Sequence, residues 1–162
     1  ATGNIITNKT AGTIIQIVNV TTGAVATGTT QMVGDDTIPQ NDEGDEYMTL
    51  AITPTDSSNK LIINVRANVI HSGTAGAHYG ALFQDSTANA LATAWAAKNA
   101  TANNPTMLVI DHYMTAGTTS ETTFKFRSGI SVSGTTTFNG VLGARFFGGS
   151  FASSITITEV AT

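Results

Sequence analysis

The sequence predicts an all-β protein, a sandwich or barrel of antiparallel strands, and three observations carry that prediction. The first is a pair of alternating runs at residues 47–53 and 61–69. Met48, Leu50 and Ile52 share one face of the first run. Leu61, Ile63, Val65, Ala67 and Val69 share one face of the second, with Asn64, Arg66 and Asn68 opposite. A period of two is the mark of half-buried strands. The second observation is recurrence: roughly eight to ten short segments of this kind are separated by turn residues every eight to twelve positions or so, the spacing of a sandwich or barrel. The third is the absence of any amphipathic helical stretch of about three turns.

The elements follow in order. Residues 1–12 are polar and read as a lead-in from an upstream segment, since the opening Ala1-Thr2-Gly3-Asn4 looks like a processed or excised end; residues 13–162 form one domain. Residues 13–21 are a strand, apolar on both faces in places. Residues 22–46 are mostly loop, rich in Thr and Gly and then acidic. Between the paired runs, residues 54–59 (PTDSSN) hold side chains that close turns by bonding to backbone, which makes a hairpin or a sheet-to-sheet corner. In residues 76–85 Tyr79, Ala81 and Phe83 share a face. Residues 89–97 are alanine-rich, which favours helix, yet Leu91, Thr93 and Trp95 alternate and the β context assigns a strand. Residues 105–115 make a long strand with apolar residues on both faces at its start. Residues 122–132 alternate cleanly, Phe124, Phe126, Ile130 and Val132 against Thr123, Lys125, Arg127 and Ser131. Residues 134–138, 142–147 and 154–160 complete the set.

Composition narrows the function. The chain has 162 residues, enough for one real core, and 41% are hydrophobic, which argues against disorder. Only 11% are charged, against about a quarter in ordinary domains. Thr, Ser, Gly, Ala and Asn fill the surface instead, which suits fibrous, secreted or capsid-like proteins that meet sugars or copies of themselves. A net charge of −4 without a basic cluster excludes nucleic acid as a partner, because phosphate neutralisation needs Lys and Arg. There is no cysteine, so disulfides, zinc–thiolate sites and thiol catalysis are absent together. No apolar run approaches the length of about 18 to 20 residues that membrane insertion requires, and no signal peptide is visible.

No catalytic constellation stands out, and no enzyme activity or cofactor is expected. His71, His78 and His112 are spaced for neither a metal site nor a triad, and Asp111 and His112, adjacent on a strand, face opposite sides. There is no G-x-S-x-G elbow and no P-loop. Residues 35–46 carry six of the eleven carboxylates. That stretch reads as a solvated loop; Asp42, Glu43 and Asp45 are the ligands it would offer to calcium, without EF-hand spacing. Trp95, Tyr47, Tyr79 and Tyr113 are the aromatic faces on which a sugar ring could stack, with the tyrosines assigned to packing and Trp95 left open beside the polar loop 98–104. Loops 72–76, 98–104 and 133–137 are the expected contact loops, and the candidate receptor-binding residues are Trp95, Lys98, Asn99, Asn103, Asn104 and His78. Six of the seven phenylalanines (all but Phe83) fall at or after position 124. They fill the core or face a subunit interface. Phe146 and Phe147 cannot enter the same core layer from one strand, and Gly143, Gly148 and Gly149 suit close backbone approach near a threefold axis. Phe146, Phe147, Phe151 and Tyr113 are therefore the candidate interface residues.

Several segments in order, 36–41 (DTIPQN), 50–55 (LAITPT), 58–63 (SNKLII), 81–91 (ALFQDSTANAL), 115–120 (TAGTTS), 123–127 (TFKFR), 146–149 (FFGG) and 155–160 (ITITEV), span nearly the whole chain. Together they resemble the C-terminal receptor-binding domain of bacteriophage tail fibres and related receptor-binding proteins. The resemblance implies a jelly-roll-like sandwich, a head of TNF or C1q type, assembled as a homotrimer at the fibre tip of the virion. Its task would be adhesion, without chemistry, to a bacterial surface saccharide or outer-membrane protein. Residues 42–46 are more charged than such a family leads one to expect. Two other readings share the fold: a structural decoration or capping trimer that binds no receptor, and a monomeric carbohydrate-binding module centred on Trp95. A depolymerase or esterase would need a paired-carboxylate signature that the spacing does not supply.

Overall fold

The computed structural model describes residues 10–97 and 100–162. The lead-in expected over residues 1–12 lies almost wholly outside them, as do Lys98 and Asn99. In chain order the strands are β1 (Ile14–Thr22), β2 (Ala26–Gly28), β3 (Asp45–Ile52), β4 (Lys60–His71), β5 (Ala77–Gln84), β6 (Ala92–Ala97), β7 (Pro105–Thr115), β8 (Thr122–Ile130), β9 (Thr136–Phe138), β10 (Gly140–Val141), β11 (Ala144–Arg145) and β12 (Ser153–Val160). One sheet runs β1-β12-β4-β7, with the short β9 and β2 continuing the columns of β12 and β1 along the far end of β4. The other runs β3-β8-β5-β6. Every pairing is antiparallel. The two sheets face each other as a jelly-roll sandwich.

Alternation decides which side chains meet. Leu61, Ile63 and Val65 of β4 and Ile155 and Ile157 of β12 turn inward from the first sheet, Phe124 and Phe126 of β8 and Leu82 of β5 from the second, and all are fully buried. Burial of a large aliphatic or aromatic side chain stabilises by roughly 1.5–3 kcal/mol, so this double row specifies the fold. The runs at 47–53 and 61–69 are not a hairpin: β3 pairs with β8, while β4 pairs with β12 and β7. Residues 53–59 carry the chain across the end of the sandwich, with Ser58 donating from its N–H and hydroxyl to the Asp56 carboxylate, each at 2.8 Å. The alanine-rich segment is a strand because the edge of β5 supplies it with a full ladder.

Two segments differ from expectation. Residues 142–147 do not form one strand. The β10–β11 hairpin turns at Leu142 and Gly143, which adopt φ of 53° and 74°, and a 3-10 turn follows at Phe147–Gly149. Phe146 and Phe147 therefore do not alternate across a strand. Their rings pack at 4.0 Å, and Phe146 also meets Phe151 edge-on at 5.8 Å. Phe124, Phe126 and Phe138, by contrast, are core residues.

The acidic stretch is likewise not a free loop. Residues 29–44 lie as a strap across the outer face of the second sheet, where Met32 covers Ala81 and Phe83 in a small second core. Arg127 on β8 holds it, donating from Nε to the Glu43 carbonyl at 2.9 Å and from Nη2 to the Gly44 carbonyl at 2.6 Å. Its far side is tied to the β5–β6 loop by Asn41 N–H to the Ala88 carbonyl and Ala90 N–H to the Pro39 carbonyl.

The loops sort to two ends. At one, Asn103 N–H donates to the His71 carbonyl and Ser72 N–H to the Thr135 carbonyl, which gathers the 72–76, 100–104 and 131–135 loops. At the other, Gly12 and Ala161 meet beside the 53–59 corner and the 116–121 loop, where Gly117 N–H donates to the Ser57 carbonyl. No helix among the described residues is long and apolar enough to cross a membrane.

Candidate functional site

The strap does not reach the edge strand, and the gap it leaves is a groove of about 370 Å3. Residues 32–35, Thr37 and Pro39 form one wall; Tyr79 and Gly80 of β5 and Thr93, Ala94 and Trp95 of β6 form the other wall and the floor. Tyr79 and Trp95 are register partners, so both project from the outer face. Gly34 lets the strap close over the phenol: a Cβ there would come within 2.3 Å of the Tyr79 hydroxyl. Trp95 has nothing laid across it and is 69% exposed. An indole this open, on a strand whose outward neighbours are small, is a flat apolar platform edged by polar groups.

Asp35 places a charge on the groove wall. Its Oδ1 accepts the Thr37 hydroxyl at 2.5 Å and the Thr37 N–H at 2.8 Å. The hydroxyl bond first and the N–H bond second hold its carboxyl below the usual value. With an aromatic platform, a fixed carboxylate and the hydroxyls of Thr37 and Thr93, the groove offers stacking and hydrogen-bond recognition.

The other residues singled out in the sequence lie elsewhere. His78 is fully buried, edge-on to His71 at 6.4 Å beneath the loop end, and so takes no part in surface contact: its position on β5 turns it toward the core, opposite to Tyr79. Asn103 and Asn104 are half-buried at the loop end, where Asn103 borders a cleft of about 240 Å3 with Thr27, Ser72, Thr135, Thr137, Leu142 and Gly143. The structure thus separates Trp95 from the asparagines instead of joining them in one site. Asp45 accepts the N–H and hydroxyl of Thr30, and Glu43 accepts the N–H groups of Val33 and Gln40. These carboxylates hold the strap itself, and the described residues contain no cluster of three side chains able to ligate a metal.

The four aromatic residues expected at an interface fall in two patches. Phe146, Phe147 and Phe151 sit near Gly23, at the β1–β2 edge of the first sheet. Tyr113 lies on β7 at the opposite edge, 62% exposed, with the Lys60 ammonium 6.0 Å from its ring centre. On the same outer face Ile14 and Ile17 are exposed on β1, and Met107 and Val109 on β7. Apolar residues on both faces of these two strands were the sequence signal for that surface. Tyr79, weighed as a stacking face and assigned to packing, lines the groove; Asp35 and Thr37 had no comparable signal as a site, because nothing local links the strap to β6.

No family model matches the chain, and no curated protein matches it. Solved structures share its fold. Eiger TNF from S. frugiperda is 6% identical with a TM-score of 0.50, over 90% of this chain and 93% of that one. The likeness is one of fold, and this protein is an antiparallel jelly-roll sandwich of TNF-like type. Looser overlaps reach larger proteins: the dimeric latent PorU of Porphyromonas gingivalis (10% identity, TM-score 0.41, 94% of this chain and 14% of that one). A chain of infectious bursal disease virus, Gx strain, follows at 15% identity and a TM-score of 0.40, over 91% of this chain and 37% of that one.

Proposed function

We propose that this chain is a non-catalytic host-recognition domain of a phage tail-fibre tip, which assembles as a homotrimer and binds a bacterial surface glycan or outer-membrane receptor. The observation that carries the reading is the groove at Trp95: a largely exposed indole on the β6 edge of the second sheet's outer face, beside the strap. The ordered resemblance of segments from residue 36 to residue 160 supports the phage setting, and the apolar outer face of the first sheet supports self-association. The lack of a basic cluster in sequence suits a neutral partner. Adhesion needs no reaction, and binding, orientation and avidity through three copies suffice.

The test is retention of fluorescent protein on a panel of bacterial cells, comparing the wild-type chain with Trp95→Ala. Expected is saturable binding to some strains, lowered about thirtyfold in the variant, the size of a binding hot spot, with an unchanged thermal midpoint because the indole is exposed. A trimer that binds no strain would instead be the structural decoration or capping domain. Because the groove is complete within one chain, a binding-competent monomer would be a lone carbohydrate-binding module.

A further inference from the structure

We propose that the groove takes a saccharide unit that carries no negative charge, a neutral or amino-bearing pyranose lying flat on Trp95. This deepens the reading of the groove as the recognition site and rests on it.

Three features point to that class. The first is shape. The groove is narrow, with the Gly80 and Ala94 backbone as floor and the indole at its open side. Its volume of about 370 Å3 lies at the small end of ligand sites, which run from about 300 to 1,000 Å3. A pyranose has one face of C–H groups and a rim of hydroxyls. The indole plane matches the first, and the carboxylate and hydroxyls of Asp35, Thr37 and Thr93 match the second.

The second is polarity. Both bonds from Thr37 land on Oδ1 of Asp35, and a carboxylate has about four lone-pair sites, so it can also accept a donor from the ligand. A carboxylate accepts and does not donate. It pairs with a sugar hydroxyl, and more strongly with an ammonium.

The third is charge. None of the described residues lining the groove is Lys, Arg or His, so a uronic, sialic or phosphorylated sugar would bring its anion beside Asp35 with no cation among them to offset it. Like charge at such range penalises the wrong partner more than it helps the right one. Of the described cations on that face, Arg127 donates to the strap carbonyls, and Lys125 and Arg127 lie 4.0 and 3.8 Å from Glu46.

The experiment is an array of neutral, amino-bearing and acidic oligosaccharides, probed with the wild-type chain, Trp95→Ala and Asp35→Asn, beside the cell-binding assay. Expected is retention of neutral or amino-bearing spots only. Trp95→Ala should lose both classes. Asp35→Asn should weaken the amino-bearing spots about threefold, the scale of one exposed charge pair, while the neutral ones change less. Three outcomes overturn the inference and separate it from the broader reading. A preference for acidic spots refutes the charge argument and leaves a glycan-binding groove. Binding to cells that needs Trp95 while no spot is retained means a ligand other than a saccharide in the same groove. Binding to cells that ignores Trp95 moves recognition to another surface. A chain that binds neither cells nor spots loses both this inference and the host-recognition reading.

Discussion

Glu159 on β12 is fully buried, and its carboxylate collects four hydrogen bonds. They come from the Thr55 N–H at 2.8 Å and hydroxyl at 2.9 Å, the Asn59 amide at 2.5 Å and the Gln16 amide at 2.6 Å. One side chain thus ties β1 and the β3–β4 corner to β12. Burial alone would raise its pKa, but the bonds from Asn59, Gln16 and Thr55 outweigh that and hold the carboxyl below its ordinary value. The linkage has one sign. With the native pKa below the unfolded one, the unfolded chain binds the proton first as pH falls. The stabilisation is therefore complete above the unfolded value of about 4.3 and is lost as pH drops through the native pKa. Glu159→Gln, which sets an amide donor among donors, should cost about 2 kcal/mol at pH 7, the range of a hydrogen bond to a charged group. That gap should begin to narrow as pH falls below about 4 and vanish once pH is below the native pKa, as read by urea unfolding across pH. A variant that tracks the wild type at pH 7 would show that the carboxylate does not hold this end.

At the scale of elements, the strap depends on Arg127. Its two bonds to the Glu43 and Gly44 carbonyls fix the backbone just where Gly44 turns with φ of 62° against β8. Arg127→Met keeps an apolar stem along the sheet and removes the donors. The expected loss is about 1–3 kcal/mol, seen as a thermal midpoint several degrees lower, at about 2–4 °C per kcal/mol for a domain of this size. Hydrogen exchange should quicken at Met32 and Gly44, whose N–H groups donate to the Ile130 and Gln31 carbonyls. Unchanged exchange there would mean that Met32 on Ala81 and Phe83 suffices to seat the strap. The strands themselves were legible because a period of two survives in sequence: the alternations at 61–69 and 122–132 became β4 and β8. Pairing was not legible, since the same alternation serves a hairpin and a corner, and the bonds to Glu159 that draw the corner over come from a strand about 100 residues away. The strap was hidden for a related reason. Its one buried apolar anchor, Met32, lies in a largely polar run whose other large apolar residues, Val33 and Ile38, stay exposed, and its partners Ala81 and Phe83 share a face of β5 with no mark to tell it from a core face. Of the groove, Trp95 and Tyr79 could be read as aromatic faces; Asp35 and Thr37 meet them through the strap's path alone.

The two outer faces of the sandwich are unlike, and the whole molecule's behaviour should follow from that. One is covered by the strap and carries Lys125, Arg127 and Glu46. The other bears Ile14 and Ile17 at the β1 edge and Met107, Val109 and Tyr113 at the β7 edge, all exposed. A patch confined to one place invites a two-fold dimer. Two different apolar patches at opposite edges of one face suit a head-to-tail contact, which makes a closed ring when the rotation between neighbours is a third of a turn. For the proposed trimer, light scattering should give about 50 kDa, three times the 16.7 kDa chain. Ile17→Asp and Val109→Asp should each reduce the mass to one chain, because each buries an unpaired charge in every contact of the ring, while circular dichroism stays native and Trp95→Ala stays trimeric. The two broken variants also test the geometry. Mixed in equal amounts, the Ile17→Asp chain still offers an intact β7 edge and the Val109→Asp chain an intact β1 edge. One sound contact per pair should then form, giving a species of two chains and no larger. A two-fold contact of β1 edge on β1 edge predicts a wild-type dimer and a Val109→Asp dimer instead, so the masses of the single variants and of the mixture decide between ring and pair.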